Sequence, residues 1–293
     1  MIINLTGHDC TGKTTLAERL TNEINAEYTH FSNPKDMEDG KKQYFDFLNN
    51  VDSSKNYVCD RFHDGEWVYA PIYRGYTANY MEELESKLRK TDKYMLAYIT
   101  ADLETIIERI KVRGEDFVKE EHYQLVLDNF KNNFLMNQQM PFVMINTTHG
   151  TVDSNYELLK ASYEKVKLIL DEQIELGVEV MPRGNINGSV MIVGNSESNP
   201  IMDEKMNYEY VSSLKESGIY LDCWFSYVCS KYMESILNQI NIVKPKTIIA
   251  IDPVSYSFIR QRLTAGKDRV ILLDSENNHG DLTELFKMVK NMK

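Results

Sequence analysis

Cysteine is scarce in this chain of 293 residues: Cys10, Cys59, Cys223 and Cys229 are the whole complement. No two form a CxxC pair or stand beside histidines at metal-ligand spacing, which argues against a structural zinc and against a disulfide framework. Long apolar runs are missing as well. None approaches the roughly 20 residues needed to span a bilayer, so no membrane partner is expected. Met1 leads straight into IINLTG with no basic stretch before it, so the sequence predicts no secretory signal and a cytoplasmic location. Basic residues are the minority, 33 against 44 acidic, for a net charge of −11. Such a balance repels a polyphosphate backbone at long range and disfavours general nucleic-acid binding. It leaves room for a small anionic substrate wherever a few arginines and lysines share one cleft.

What is present is an alternation of short apolar runs with helical patterns. Candidate strands are Ile2–Leu5, Ala26–His30, Tyr57–Cys59, Met95–Ile99 and Phe142–Ile145. Candidate helices lie at Lys13–Ile24, Met37–Asn49, Met81–Leu88, Leu103–Val112, Val118–Met136 and Asn155–Leu176. Strands alternating with helices of this length predict βαβ units and a mostly parallel sheet flanked by helices. Gly177–Gly188 is dense in breakers and reads as a linker. Beyond it the alternation restarts, with strands at Val190–Val193, Thr247–Ile251 and Val270–Leu273. The helices of this half are expected at Lys205–Ser217, Ser230–Gln239, Val254–Leu263 and Leu282–Met292. The expectation is an α/β protein: a nucleotide-binding domain over residues 1–180 and a smaller α/β domain over 186–293.

The strongest signal is Gly7-His8-Asp9-Cys10-Thr11-Gly12-Lys13-Thr14-Thr15. It matches GxxxxGK[ST], follows an apolar strand and opens an amphipathic helix, the setting that this motif requires. Its glycines let the backbone wrap an anion with N–H groups pointing inward, helped by the positive end of the following helix. Gly7, Gly12, Lys13, Thr14 and Thr15 are therefore the candidate ATP site. Lys13 is expected to reach the β- and γ-phosphates, and the Thr14 hydroxyl to bind Mg²⁺.

Two further segments join the loop in resembling one family, the thymidylate kinases and related deoxynucleoside monophosphate kinases. The resemblance covers roughly residues 1–150. Asp9 stands where that family places an acid facing the deoxyribose 3′-hydroxyl. Cys59-Asp60-Arg61-Phe62 is similar to the family's Asp-Arg-aromatic motif. Arg109-Ile110-Lys111-Val112-Arg113-Gly114-Glu115-Asp116, followed by Glu120 and Glu121, resembles its arginine-rich lid. Residue chemistry agrees: Asp60 at a strand end can orient Mg²⁺, and Arg61 can grip an acceptor phosphate with its planar fork. Arg109 and Arg113 share a helical face that Gly114 terminates. The chain departs from the pattern at Cys10, where some members carry arginine, and at Phe31-Ser32-Asn33-Pro34-Lys35, a loose match to the family's Arg-Glu-Pro-Gly segment. Phe31 is a candidate to stack on a base and Lys35 to replace the arginine.

The aromatic, polar stretch Arg61–Tyr76 resembles a variant in bacteriophage-encoded thymidylate-kinase-like proteins, whose location is the host cytoplasm. Glu66, Tyr69 and Arg74 are candidates for the acceptor pocket, whereas Trp67 and Tyr73 read equally as core. The resemblance implies transfer of the ATP γ-phosphoryl group to dTMP or a 5-modified dUMP such as 5-hydroxymethyl-dUMP. Two alternatives stay open: a kinase acting on a nucleoside or modified-base hydroxyl, including one in DNA, and a nucleotide-dependent regulatory module without turnover. The second domain faintly resembles the uracil-DNA glycosylase-like fold through the loop Gly194–Pro200 and the strand after Pro245-Lys246-Thr247, but its late loop, Asp274–Asp281, lacks a His-Pro pair. An accessory role in sensing or in a homodimer is the plainer expectation. Asn195, Glu197, Asn199 and His279 are its polar groups of first interest.

Overall fold

The computed structural model describes residues 1–91, 93–114, 118–178, 180–195, 204–273 and 282–291, without the side chains of 133 and 204–210. Two compact units divide the chain, Met1–Glu164 and Lys165–Lys293.

The first unit is a parallel five-stranded sheet. Its strands are β1 (Ile2–Thr6), β2 (Glu27–His30), β3 (Tyr57–Asp60), β4 (Tyr94–Thr100) and β5 (Pro141–Asn146), in the order β5-β4-β1-β3-β2. β1 lies between β3 and β4 and every residue of it is buried, which is why it reads as an apolar run apart from Asn4 and the terminal Thr6. Leaving β1, the chain crosses to β2 on one side and later to β4 on the other. The C-terminal edge of β1 is thus a topological switch point, where open α/β sheets form their binding crevice. The register pairs Leu5 with Asp60 and His30 with Asp60, so the ends of β1, β3 and β2 meet at that crevice.

The flanking helices follow from their termini. α1 (Lys13–Glu23) starts at Gly12, whose φ of 90° is left-handed and which offers no side-chain cap. Its first N–H groups therefore stay open toward the loop. α2 (Met37–Asn50) is capped by the Asp36 side chain, which accepts from Asp39 N at 2.9 Å. α3 (Asp64–Tyr69) runs into a π-turn over Ala70–Arg74, and α4 (Met81–Arg89) and α5 (Leu103–Arg113) follow. Gly114, at φ 93°, ends α5 and donates to Ile110 O. The helix expected over Val118–Met136 is broken. A 3₁₀ turn at Glu120–His122 precedes α6 (Tyr123–Asp128), and a π-turn at Asn129–Phe134 and a second 3₁₀ turn at Leu135–Asn137 follow it. The altered turns swing Phe130 and Phe134 into the core, where both are buried. α7 (Val152–Leu176) contains the boundary between the units.

The second unit has its own sheet, with β7 (Val190–Asn195) between β8 (Cys223–Val228) and β9 (Thr247–Ala250), and β10 (Val270–Leu272) beyond β9, all parallel. β6 (Arg183–Asn185) pairs antiparallel with β8. Helices α8 (Glu204–Ser217), α9 (Met233–Val243), α10 (Pro253–Arg262) and α11 (Leu282–Asn291) complete it. A 3₁₀ turn at Ser230–Tyr232 replaces the start of the helix expected from Ser230. Within the breaker-rich segment, Arg183–Asn185 is a strand paired with β8. Gly184, at φ 99°, lies so close to β8 that a Cβ there would sit 2.3 Å from Cys223 O. Its glycine serves a close backbone approach. Among the described residues no helix is long and apolar enough to cross a membrane.

Gly184→Ala is expected to cost the second unit about 2–4 kcal/mol, because the clash is with backbone and φ is positive. Urea unfolding followed by the fluorescence of Trp224, fully buried on β8, measures it. An unchanged midpoint would contradict the packing described.

Candidate phosphate-binding and acceptor site

The loop between β1 and α1 is shaped by three left-handed residues: Gly7 at φ 138°, Cys10 at 60° and Gly12 at 90°. A Cβ on Gly7 would stand 1.9 Å from Ile99 O, so only glycine fits against β4 there. Lys13 folds back over the loop and is buried, donating from Nζ to His8 O at 2.6 Å, with Asp9 Oδ1 at 4.0 Å. Burial pulls its pKa below the usual lysine value; Asp9 opposes that shift and Arg61 adds to it. His8 is buried too, with its pKa lowered by burial, and its ring meets Tyr123 edge-on.

Arg61 leaves the end of β3 with φ at 64°, a costly conformation for a residue other than glycine, of the kind that concentrates at functional sites. The turn sends its guanidinium back over the loop, where Nη2 donates to Asp9 Oδ1 at 2.8 Å. Lys13 and Arg61 therefore flank the same carboxylate oxygen. Asp60, one residue earlier, is fully buried. Its Oδ2 accepts from Thr14 Oγ1 at 2.7 Å and from Tyr28 OH at 3.1 Å, with His30 Nδ1 at 3.3 Å. Burial and the Asp60 charge push the Tyr28 phenol up to about 12, so it keeps its proton. The other oxygen, Oδ1, is buried without a hydrogen-bond partner.

A cleft of about 480 Å³, partly open to solvent, runs from the loop to α3. Gly7, Asp9, Lys13, Phe31, Arg61, Glu66, Tyr69 and Arg74 all line it, so the sequence candidates for the phosphate loop and the acceptor pocket share one space. Glu66 is buried and paired with Arg74; its Oε2 also accepts from Tyr76 OH at 2.5 Å and Tyr80 OH at 3.4 Å. Gly40 makes this possible, since a Cβ there would lie 2.6 Å from the Tyr80 hydroxyl. Phe31 sits in an aromatic cluster with Tyr44, Phe47 and Phe62. Reading the sequence missed Phe130, Tyr44 and Asp64 on the wall. Asp64 is fully buried, accepts from Asn4 Nδ2 at 2.6 Å, and burial raises its carboxyl pKa.

Other candidates lie elsewhere. Lys35 is exposed and does not line the cleft, while Gly12, Thr14, Thr15 and Asp60 stand on the loop and helix side, outside the lining. Arg109 is a clamp. Its Nη1 donates to Cys10 O at 3.2 Å and Thr147 Oγ1 at 2.9 Å, and its Nη2 donates to Thr147 O at 2.7 Å. Arg113 is exposed, with Nη1 3.8 Å from Cys10 Sγ. Glu115 and Asp116 of the lid segment lie outside the described residues, as do Glu197, Asn199 and His279. Tyr73 OH meets Lys119 N and His122 Nδ1, a packing role at the edge of the site. In the second unit, Asn195 N donates to Asp252 Oδ2 at 2.8 Å, and Asp252 caps α10.

Among the described residues no three His, Cys, Asp or Glu side chains gather as a metal site. The hydroxyl of Thr14 and the unpartnered Asp60 Oδ1 nevertheless fit Mg²⁺, which is commonly held by one or two protein oxygens together with waters and substrate phosphates.

No known family profile matches the sequence. The chain is similar to YorR, an uncharacterized SPbeta prophage-derived protein of Bacillus subtilis strain 168, at 26% identity over 133 residues, spanning 44% of this chain and 79% of that one. Among solved structures, the B. subtilis YorR protein in complex with phosphorylated GDP aligns at 22% identity over 60% of this chain and 98% of its own, with a TM-score of 0.47. Deoxyadenosine kinase from M. mycoides aligns at 17% identity over 57% of this chain and 100% of its own, with a TM-score of 0.42. Thymidylate kinase from Candida albicans aligns at 14% identity over 57% and 92%, with a TM-score of 0.35.

Arg109→Ala removes three hydrogen bonds from a charged donor and is expected to lower stability by about 2–3 kcal/mol. Chemical denaturation of the variant checks this. A loss below about 0.5 kcal/mol would mean that the clamp is solvated instead.

Proposed function

We propose that the chain is a deoxynucleoside monophosphate kinase, transferring the γ-phosphoryl group of ATP to dTMP or to a 5-modified dUMP such as 5-hydroxymethyl-dUMP. One observation carries this reading: Lys13, from a phosphate-binding loop, and Arg61, from the end of β3, face one cleft and flank the same oxygen of Asp9. A lysine on a donor phosphate beside an arginine on an acceptor phosphate is what transfer between two anions demands. Such chemistry asks the protein mainly for positioning and charge stabilisation.

In this reading the loop N–H groups and Lys13 hold the β- and γ-phosphates. Arg61 exchanges Asp9 for the acceptor phosphate, and Asp9 turns to the sugar. Thr14 and Asp60 would hold Mg²⁺, which when bound supplies neutralisation of the triphosphate charge. Phe31, Tyr69 and the Glu66–Arg74 pair form the wall against the base. Arg109 fixes the loop carbonyl at Cys10, and Arg113 completes the cationic rim. The residues assigned to the reaction all fall in the first unit, which leaves the second unit an accessory role.

A second reading draws on the Asp9–Arg61 pair itself. A carboxylate between two cations at the end of the phosphate loop is also placed to take the proton of a hydroxyl acceptor. That acceptor would be a nucleoside or a modified base, free or in DNA.

Turnover of ATP against dTMP, 5-hydroxymethyl-dUMP, their nucleosides and 5-hydroxymethyluracil DNA separates the readings. ADP release with the monophosphates is the expected result. Lys13→Ala should lower kcat by at least about 100-fold in a folded protein, because its contact strengthens as charge moves onto the leaving oxygens. Near-normal turnover by that variant would overturn the assignment. Arg61→Ala should raise the acceptor KM and lower kcat about 10–100-fold with monophosphates. Equal losses with hydroxyl and phosphate acceptors would favour the second reading.

A further inference from the structure

The Asp60 carboxylate has an asymmetric environment. Three side chains converge on Oδ2: the Thr14 hydroxyl at 2.7 Å, the Tyr28 phenol at 3.1 Å and the His30 ring nitrogen at 3.3 Å. Oδ1 is equally buried and has no hydrogen-bond partner. A buried carboxylate oxygen left without a partner is destabilising, so this half of the group is held ready at a cost. The register explains how the donors reach it. β2 pairs in parallel with β3, placing His30 beside Asp60 and Tyr28 beside Val58, so both side chains project from one face of the edge strand toward the end of β3. Tyr28 is 38% exposed, so its ring is not there to fill core. Its hydroxyl spends its proton on Asp60.

We propose that Tyr28, assisted by His30, is a positioning residue for the metal carboxylate: by occupying Asp60 Oδ2, the oxygen that also accepts from Thr14, it fixes the group and leaves Oδ1 for the metal that Asp60 and Thr14 would hold. The proposal rests on the kinase reading and the Mg²⁺ site it implies. Ligating carboxylates are held in this way by hydrogen-bonding neighbours, and losing such a neighbour commonly lowers metal affinity 10–100-fold. Thr14 can keep donating its proton to Oδ2 while a lone pair of its oxygen turns to the metal, so the arrangement survives loading. Without the phenol, the carboxylate is free to rotate. Its unpartnered oxygen would then compete for the Thr14 hydroxyl instead of the metal.

The test compares the affinity of a fluorescent ATP analogue in excess Mg²⁺ with its affinity in EDTA, for the full chain and for Tyr28→Phe and His30→Gln. Wild type should bind more tightly with the metal. Tyr28→Phe should cut that metal-dependent ratio about tenfold or more while leaving the EDTA affinity unchanged, and His30→Gln should cut it by less. The free-Mn²⁺ resonance signal, titrated in the presence of the analogue, should show the same loss. An unchanged ratio in Tyr28→Phe would overturn the proposal. So would equal weakening with and without metal, which would make Tyr28 merely structural. Nucleotide binding by wild type with no metal dependence would remove the Thr14–Asp60 metal site itself and the proposal with it, leaving the phosphate loop intact. Absence of any nucleotide binding would instead overturn the kinase reading.

Discussion

The burial of one ammonium group organises this site. Lys13 is 5% exposed, and a cation that far from water survives only with partners at hand. The His8 carbonyl and the Asp9 carboxylate supply them, and both belong to the loop that the lysine closes. Asp9 in turn holds Arg61, and the conformation of Arg61 is one that its backbone adopts only at a cost. The cluster sets two cations against one shared oxygen of Asp9, with the Asp60 and Asp64 carboxylates also within electrostatic reach of Lys13.

The sheet puts these groups together. Because β1 is central and the chain departs from it in both directions, the loop opens at the one edge where β1, β2 and β3 end side by side. Asp60 and Arg61, adjacent in sequence, then face different tasks across the turn at the end of β3: the acid points under α1 at Thr14, the base over the loop at Asp9. Arg109 ties the back of the loop to Thr147, whose hydroxyl also lies 3.0 Å from Thr11 O. The loop is thereby held at Cys10 and Thr11 by Arg109 and Thr147, and at Asp9 by Arg61.

Much of this was legible in the residues. The phosphate loop is a contiguous motif with its own local mechanism, and four of the five strands of the first unit show as apolar runs that the structure extends by one or two residues, while the strand expected from Ala26 begins one residue later, at Glu27. What escaped depended on tertiary context. Cys223–Val228 has a pattern of near-complete burial without alternation, so nothing in its period marks a strand. Arg183–Asn185 looked like a linker because glycine there answers to a neighbouring backbone. Arg109 read as a mobile lid cation, since its spacing from Arg113 gives the face but not what that face meets. Tyr28 and His30 could not be singled out at all: their meaning lies in the strand register against Asp60, and register is invisible before the strand order is known.

A bisubstrate analogue, adenosine joined to thymidine through five phosphates, examines the central claim directly, since it binds well only if donor and acceptor anions occupy adjoining sites. Isothermal titration should show it binding at least about 100-fold more tightly than ATP or dTMP alone, because one association event then fills both halves of the site. An affinity no greater than that of ATP would contradict the account, and would mean that the cleft beside Lys13 and Arg61 does not receive a second phosphate.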